Sequence, residues 1–240
     1  MNLNEDLRHI VDAQGLDYFG IADLCSVRVA VLKQGGHHIA GFPAAISVGI
    51  RLMDSIVNLL PKQDELAVKV SYRHHAYEVI NFRLDLVASV ISGYLQRLGF
   101  RAFPIPASKQ VDDRRMCADF SHKLAAHLAG LGWIGKSCLL ITREHGPRIR
   151  WATVLTDAPV EPTGKTTEQQ CGDCRECVDI CPVRAFTGKP FRKSESREAR
   201  FDARRCTKYL EAIKKKFGVE ACGLCLYVCP YGRKATQATN

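Results

Sequence analysis

The chain has no long apolar run. Nowhere in its 240 residues does a stretch approach the roughly 18 apolar residues that a helix needs to cross a bilayer. Met1 to Arg8 include polar and acidic positions, unlike the apolar core of an export signal. A cytoplasmic protein that is not inserted in a membrane is therefore expected. Cysteine is sparse in the first 170 residues, where only Cys25, Cys117 and Cys138 occur. No internal repeat runs through the first 157 residues, and no aromatic-rich motif of the kind that stacks on RNA bases accompanies the basic residues. What is present is ordinary for a globular protein: 46% hydrophobic and 25% charged residues, enough for a sizeable core.

The first 157 residues alternate helix and strand signals. Leu3, Leu7, Ile10 and Val11 recur at helical spacing, and Gly15 is a helix stop. Tyr18 to Ala22 and Ala44 to Ile50 read as strands. Ile80, Leu84, Val87, Ile91, Leu95 and Leu98 step by three or four along one face, which predicts a helix from His74 to Leu98 ended by Gly99. Arg101 to Pro104 reads as a strand. Phe120 to Ala129 reads as a helix capped by Asp119 or Ser121 and broken by Gly130, Gly132 and Gly135. Strands at Cys138 to Thr142 and Ile149 to Thr156, joined across Gly146-Pro147, read as a hairpin. From Ala158 to Gln170 the composition shifts to Pro, Thr, Glu and Gly. The expected organisation is α+β: an α/β domain over 1–157, a linker over 158–170 and a cysteine module over 171–240.

Eight of the eleven cysteines lie between Cys171 and Cys229. Disulfides are rare in the cytosol, so a cluster this dense points to metal. Cys171-x₂-Cys174-x₂-Cys177-x₃-Cys181-Pro182 has the ferredoxin spacing, in which three thiolates grip one iron–sulfur cube and the fourth crosses to another. Cys222-x₂-Cys225-x₃-Cys229-Pro230 repeats the end of that pattern, and Cys206 supplies its displaced first member. By this logic Cys171, Cys174, Cys177 and Cys229 hold one [4Fe–4S] cluster, and Cys181, Cys206, Cys222 and Cys225 hold a second. Zinc would use Cys-x₂-Cys pairs and ignore the triplet; a [3Fe–4S] centre follows if Cys206 is not a ligand. A crossed pair of clusters is a wire that delivers electrons singly. The formal charge of +9 falls by about four once two assemblies of about −2 are counted.

Ala129 to Thr142 (AGLGWIGKSCLLIT), Val154 to Val160, the CGDCRECVDICPVRAF run, DARRC and the closing Cys-x₂-Cys-x₃-Cys-Pro occur in an order that resembles epoxyqueuosine reductase and the related reductive dehalogenases. The resemblance implies a nitroreductase-like α/β domain at the N-terminus and a ferredoxin-like double-cluster module after it. It also implies a cobalamin that receives the electrons, and a ferredoxin or flavodoxin as donor. Gly132, Trp133, Gly135 and Lys136 are then candidate corrinoid contacts; the plainer reading is a helix stop, a turn and a core tryptophan. Two features depart from the family. The position of its acidic proton donor is Met116, flanked by Asp113 and Asp119, and the chain ends at Asn240 where the enzyme continues into helical repeats.

Other residues bear on the chemistry. His122 and Tyr77 are candidate proton donors, because imidazole titrates near neutrality and reduction needs a proton; Tyr72 is a third, and each is equally a packed residue. His74 and His75 point about 100° apart on a helix and make a poor metal pair. Cys25, Cys117 and Cys138 read as buried small hydrophobes. Arg192, Lys193, Arg204, Arg205 and Lys214 to Lys216 form either a face for an acidic electron donor or a phosphate-binding face for tRNA. Three functions stay open: an iron–sulfur reductase acting on a small molecule, a non-enzymatic electron carrier serving a corrinoid enzyme, and a tRNA-modifying enzyme.

Overall fold

The computed structural model describes residues 2–237. Its strands are β1 (Tyr18–Asp23), β2 (Ala44–Arg51), β3 (Ala102–Ile105), β4 (Trp133–Ile134), β5 (Leu140–Ile141) and β6 (Ile149–Thr156). The chain forms two compact units. One contains the residues up to Arg51, Ile80–Leu131 and Arg150–Thr167; the other contains Leu52–Val79, Gly132–Ile149 and the chain from Glu168 onward. The second unit therefore includes two segments, 52–79 and 132–149, that the sequence reading placed with the N-terminal domain.

The first unit is built on a sheet of order β1-β2-β6-β3. β1 runs antiparallel to β2, with Tyr18 opposite Gly49 and Asp23 opposite Ala44; β3 runs antiparallel to β6. The central strands β2 and β6 are buried almost throughout. Their small and β-branched runs lack polar alternation because both faces are covered. The helix Ile80–Arg97 buries Ile80, Leu84, Val87, Ile91 and Leu95, and Gly99 follows it at φ +88°. The helix His122–Leu128 runs into Ala129, which lies close to β1: a Cβ on Gly20 would sit 3.0 Å from that of Ala129. Ser121 occupies its N-cap position without a side-chain cap bond.

Three expectations need correction. The predicted helix from His74 begins earlier, as Leu66–Arg73, and passes through a π turn at His74–Val79 before Ile80. That wide turn shifts the apolar stripe, so the regular period is legible only from Ile80. The predicted hairpin is absent. Thr142 and Gly146 do exchange backbone hydrogen bonds at 3.0 Å, but β5 pairs with β4 while β6 enters the larger sheet. The expected linker has no helix or strand, yet its first part is strapped to the first unit. Thr163 accepts from Ile21 N through Oγ1 at 2.9 Å and donates its own N–H to the Ile21 carbonyl at 3.0 Å, which satisfies the edge of β1.

In the second unit β4 and β5 form a short hairpin, closed by Gly135 N donating to Leu139 O and Cys138 N donating to Gly135 O, both at 2.9 Å. The cysteine segment adds the short helices Glu176–Asp179 and Leu224–Tyr227 and the longer Ala203–Phe217. Asp202 caps the last of these by accepting from Arg205 N. Among the described residues no helix is long and apolar enough to cross a membrane.

Candidate metal centre

The two cysteine segments fold alike. Cys177 lies in the helix Glu176–Asp179 and Cys225 in Leu224–Tyr227, and in each case the next cysteine, Cys181 or Cys229, follows just after that helix. The two helices pack against each other. Glycine opens the second loop: Gly223 has φ +88°, and any side chain there would meet Tyr72 at 2.8 Å. Arg233, one turn beyond Cys229, forms an ion pair with Glu176 beside Cys177, which ties the end of the second segment to the first.

Cys171, Cys174, Cys177 and Cys229 line one cavity of about 160 Å³, with Gly135, Lys136, Ile141, Gln170, Pro230 and Tyr231 among its other walls. Burial pushes the Cys177 thiol up to about 12, and its charged neighbours Cys171, Cys229 and Cys174 add to the shift. Burial likewise raises Cys229 to about 11, with Cys171 and Cys174 as its charged neighbours. The other four form a second group, which adjoins the first at Cys177. Cys206 is raised to about 11 by burial and then by Cys222 and Cys181. Cys225 is raised well above the thiol range by burial, with Cys222 and Cys206 its foremost charged neighbours. Cys181 and Ala185 are buried beside Val178 and Phe186, with Cys177, Cys206 and Cys225 packed against them. Phe186 and Phe201 stack at 5.0 Å. No disulfide is formed: all eleven cysteines are free thiols.

Clustered thiols such as Cys177 and Cys229, made harder to ionise by burial and by Cys171 and Cys174 beside them, fit a positively charged core, which reverses that cost and holds the set as thiolates. A cubane is such a core, and the donor set fits it. Among the described residues no three His, Cys, Asp or Glu side chains converge as the ligands of a single ion.

Residues 170–232 match the family model for a 4Fe-4S double cluster binding domain. An epoxyqueuosine reductase of Pseudomonas aeruginosa is 31% identical over 216 residues, which span 80% of this chain and 54% of that protein. Over that span the chain is similar to the epoxyqueuosine reductases. It spans about half the length of the curated relatives it matches. Two solved structures share its fold. A catabolic reductive dehalogenase matches 97% of this chain over 33% of its own, with a TM-score of 0.72 and 21% identity. An epoxyqueuosine reductase bound to an epoxyqueuosine-modified tRNA stem loop matches 96% over 65%, with a TM-score of 0.54 and 18% identity. The chain thus carries a double-cluster domain within a mixed α and β fold.

Gly135 and Lys136, the end of the Gly-Trp-Ile-Gly-Lys stretch, line the cysteine cavity. Lys136, at the tip of the β4–β5 hairpin, is buried and donates from Nζ to the carbonyls of Gly172 at 2.6 Å and Cys174 at 3.0 Å. A Cβ on Gly132 would lie 2.2 Å from the Ile141 carbonyl, and one on Gly135 would lie 3.4 Å from Cys171 Sγ. Trp133 is buried and meets Tyr231 edge-on at 4.8 Å. Gly135 and Lys136 line the first cysteine cavity, while Gly132 and Trp133 pack against Ile141 and Tyr231 of its wall.

The candidate proton donors sit elsewhere. In the first unit, His122 Nε2 reaches the Pro106 carbonyl at 3.1 Å and Nδ1 reaches Thr153 Oγ1 at 2.9 Å. A carbonyl only accepts, so the ring is the Nε2–H tautomer and Nδ1 accepts from the threonine. Desolvation pushes its pKa down to about 4, which leaves it neutral and a poor acid at physiological pH. In the second unit, Tyr77 lies in the π turn beneath the Arg73 guanidinium and edge-on to Tyr72. His74 pairs with Glu78, while His75 accepts from Met53 N, so the two imidazoles serve different partners. Of the three remaining cysteines only Cys138 is buried; Cys25 is exposed and Cys117 half-buried. Cys138 adopts φ +56° in the hairpin turn, and the Arg200 guanidinium approaches its sulfur at 3.7 Å.

Sequence reasoning missed the helix Leu66–Arg73. Arg73 Nη1 donates to the Glu220 carbonyl at 3.3 Å, Tyr72 abuts Gly223 and Lys69 lies against the Phe217 ring at 4.8 Å. The signal available was a buried-type lysine within an apolar helix, Leu66-Ala67-Val68-Lys69-Val70, but nothing in the sequence said what it faced.

Proposed function

We propose that the chain is an iron–sulfur reductase. It passes single electrons through two [4Fe–4S] clusters to an acceptor held by its N-terminal unit, which we read as nitroreductase-like. The observation that carries this is the division of the eight thiols into two sets, each drawing one member from the other's segment: Cys229 joins the first loop and Cys181 joins the second group. Bound there, the clusters supply reversible one-electron chemistry. The chain's own residues partly enclose the thiols, leaving Cys174 exposed, hold the first loop through Lys136, and pack Tyr231 against the first set and Phe186 and Phe201 against the second.

The donor side is the helix Ala203–Phe217. It carries Cys206 and exposes Arg204, Arg205, Lys208 and Lys214 to Lys216 against a lone exposed Glu211. Such a face suits an acidic ferredoxin or flavodoxin. The relatives' names supply the candidate acceptor chemistry, a corrinoid-linked or tRNA-linked reduction. Because Met116 stands where the family's acid is expected, no corrinoid step is assigned to residues of this chain.

Stepwise reduction of anaerobically prepared protein by reduced flavodoxin tests the reading. Uptake of about two electrons per chain, one per cluster, with loss of the visible iron–sulfur band, supports it. A colourless protein that accepts none contradicts it. Cobalamin added in the same cell separates reductase from carrier: a corrinoid spectrum that stays with the protein through desalting and becomes reduced favours the reductase.

A further inference from the structure

We propose that the outer face of the helix Ile80–Arg97 is a self-association surface, on which the same helix of a second copy of this chain lies antiparallel. The inference is independent of the clusters and goes beyond the electron-transfer reading.

A helix on the surface of a folded unit shows one apolar stripe and one polar face. This helix is apolar on both. Ile80, Leu84, Val87, Ile91 and Leu95 are buried along one side. Half a turn round, at about 100° per residue, Phe82, Leu86 and Val90 form a second row and stay exposed, by 64%, 51% and 44%. Single exposed apolar residues are ordinary, but a row repeating every four positions on one helix face is not. Ser89 and Gly93 run beside that row, the first exposed and the second half-exposed. A glycine inside a helix costs about 1 kcal/mol relative to alanine. Among the described residues nothing else uses the space it leaves: a Cβ on Gly93 would meet only Arg97 Nη1, at 3.5 Å. A residue without a side chain there suits a backbone that approaches from outside.

The partner is a second copy because the face complements itself. Asp85 lies near its start and Arg97 at its end, and both are exposed. A twofold contact sets one residue against another and, on the far side of the axis, the second against the first. An axis level with Ile91 places Ser89 of each copy against Gly93 of the other, where the two helices cross. That same register places Asp85 against Arg97, and symmetry repeats the pair. Phe82 and Leu86 then reach the end of the other copy's helix, where Leu98 and Phe100 are half-exposed. A parallel pairing would instead set like charges together. One helix per protomer makes a small interface, so the dimer is weak and depends on concentration.

Sedimentation velocity on the anaerobic full chain, from about 1 to about 100 µM, tests the proposal, with iron read on the same samples so that a failed cluster reading is a separate result. Wild type is expected to pass from monomer to dimer across that range. Leu86→Glu and Gly93→Leu should each weaken association about tenfold or more. Gly93→Leu also raises helix propensity, so an unchanged circular dichroism spectrum should accompany its loss of dimer. Asp85→Arg and Arg97→Glu should each dimerise poorly alone, whereas an equimolar mixture should associate, because each copy then carries the charge that the other needs. Should Asp85→Arg, which also loses its 2.8 Å bond to Ala107 N, fail to fold, Leu86→Glu and Gly93→Leu decide the matter. A chain that stays monomeric throughout overturns the proposal and leaves the face to a different protein. A dimer indifferent to Leu86→Glu and Gly93→Leu overturns it by placing the contact on another face, and a mixture of folded charge variants that stays monomeric overturns the antiparallel pairing.

Discussion

Lys136 and Gly172 are joined by a 2.6 Å hydrogen bond from the lysine Nζ to the glycine carbonyl, and the same ammonium reaches the Cys174 carbonyl at 3.0 Å. A hairpin that precedes the cysteine segment by some thirty residues thus fixes the loop carrying its first two thiols. Bonds to a charged donor are worth about 1.5–3 kcal/mol each when buried. Lys136→Met should leave those carbonyls unpaired and loosen the loop. The expected outcome is faster loss of half the iron to a chelator, with the other half retained as in wild type. Uniform release from both sites would argue against a local role.

The crossed ligand sets make an unusual forecast for single cysteine changes. Cys229→Ala lies in the second segment yet should abolish the first cluster, because Cys229 lines the cavity with Cys171, Cys174 and Cys177. Cys181→Ala lies in the first segment yet should abolish the second, because Cys181 is a neighbour of Cys206 and Cys222. Resonance spectra of the two reduced variants should therefore be complementary. Loss of the same signal in both would disprove the crossing.

Arg148 is fully buried and pairs with Asp54 at 2.6 Å, while its Nε and Nη2 find no partner. Removing the carboxylate strands a buried cation. Asp54→Ala should cost about 3 kcal/mol, a fall in Tm of roughly 6–12 °C for a chain of this size. A change under 2 °C would mean that the pair is dispensable.

His122 gives stability a pH dependence of known sign. Its folded pKa is held down to about 4 by desolvation, against about 6.5 in the unfolded chain. Between those values the unfolded state binds the extra proton, so stability rises with pH. The contribution is fully present above about pH 6.5 and is lost as pH falls through 6.5 towards 4, on the order of 2–3 kcal/mol. Denaturant titrations at pH 7.5 and 5 should show a larger drop for wild type than for His122→Gln. Equal drops would show that the imidazole is not held neutral in the fold.

The cysteine chemistry was legible because ligand spacing is a local property: Cys-x₂-Cys-x₂-Cys-x₃-Cys-Pro dictates a loop and a short helix wherever it occurs. The same holds for β2, whose unbroken AAISVGI run announces burial on both faces. Other features depended on partners far away in sequence. The π turn at His74–Val79 hid the start of its helix, and β5 chose β4 over the expected β6. What Lys69 faces shows only once its helix is seen lying against Phe217 and Gly223. Gly132 and Lys136 stand out in the sequence as candidate corrinoid contacts. Their contacts with Ile141, Gly172 and Cys174 required the fold, because nothing local says which surface a hairpin tip will meet.

Iron and acid-labile sulfide, measured per chain on protein kept free of oxygen from lysis onward, test the central claim most directly. Two cubes held by eight thiolates predict about eight atoms of each. Stoichiometric zinc with no sulfide, or about four of each with Cys206 dispensable, would contradict the pairing of two complete clusters.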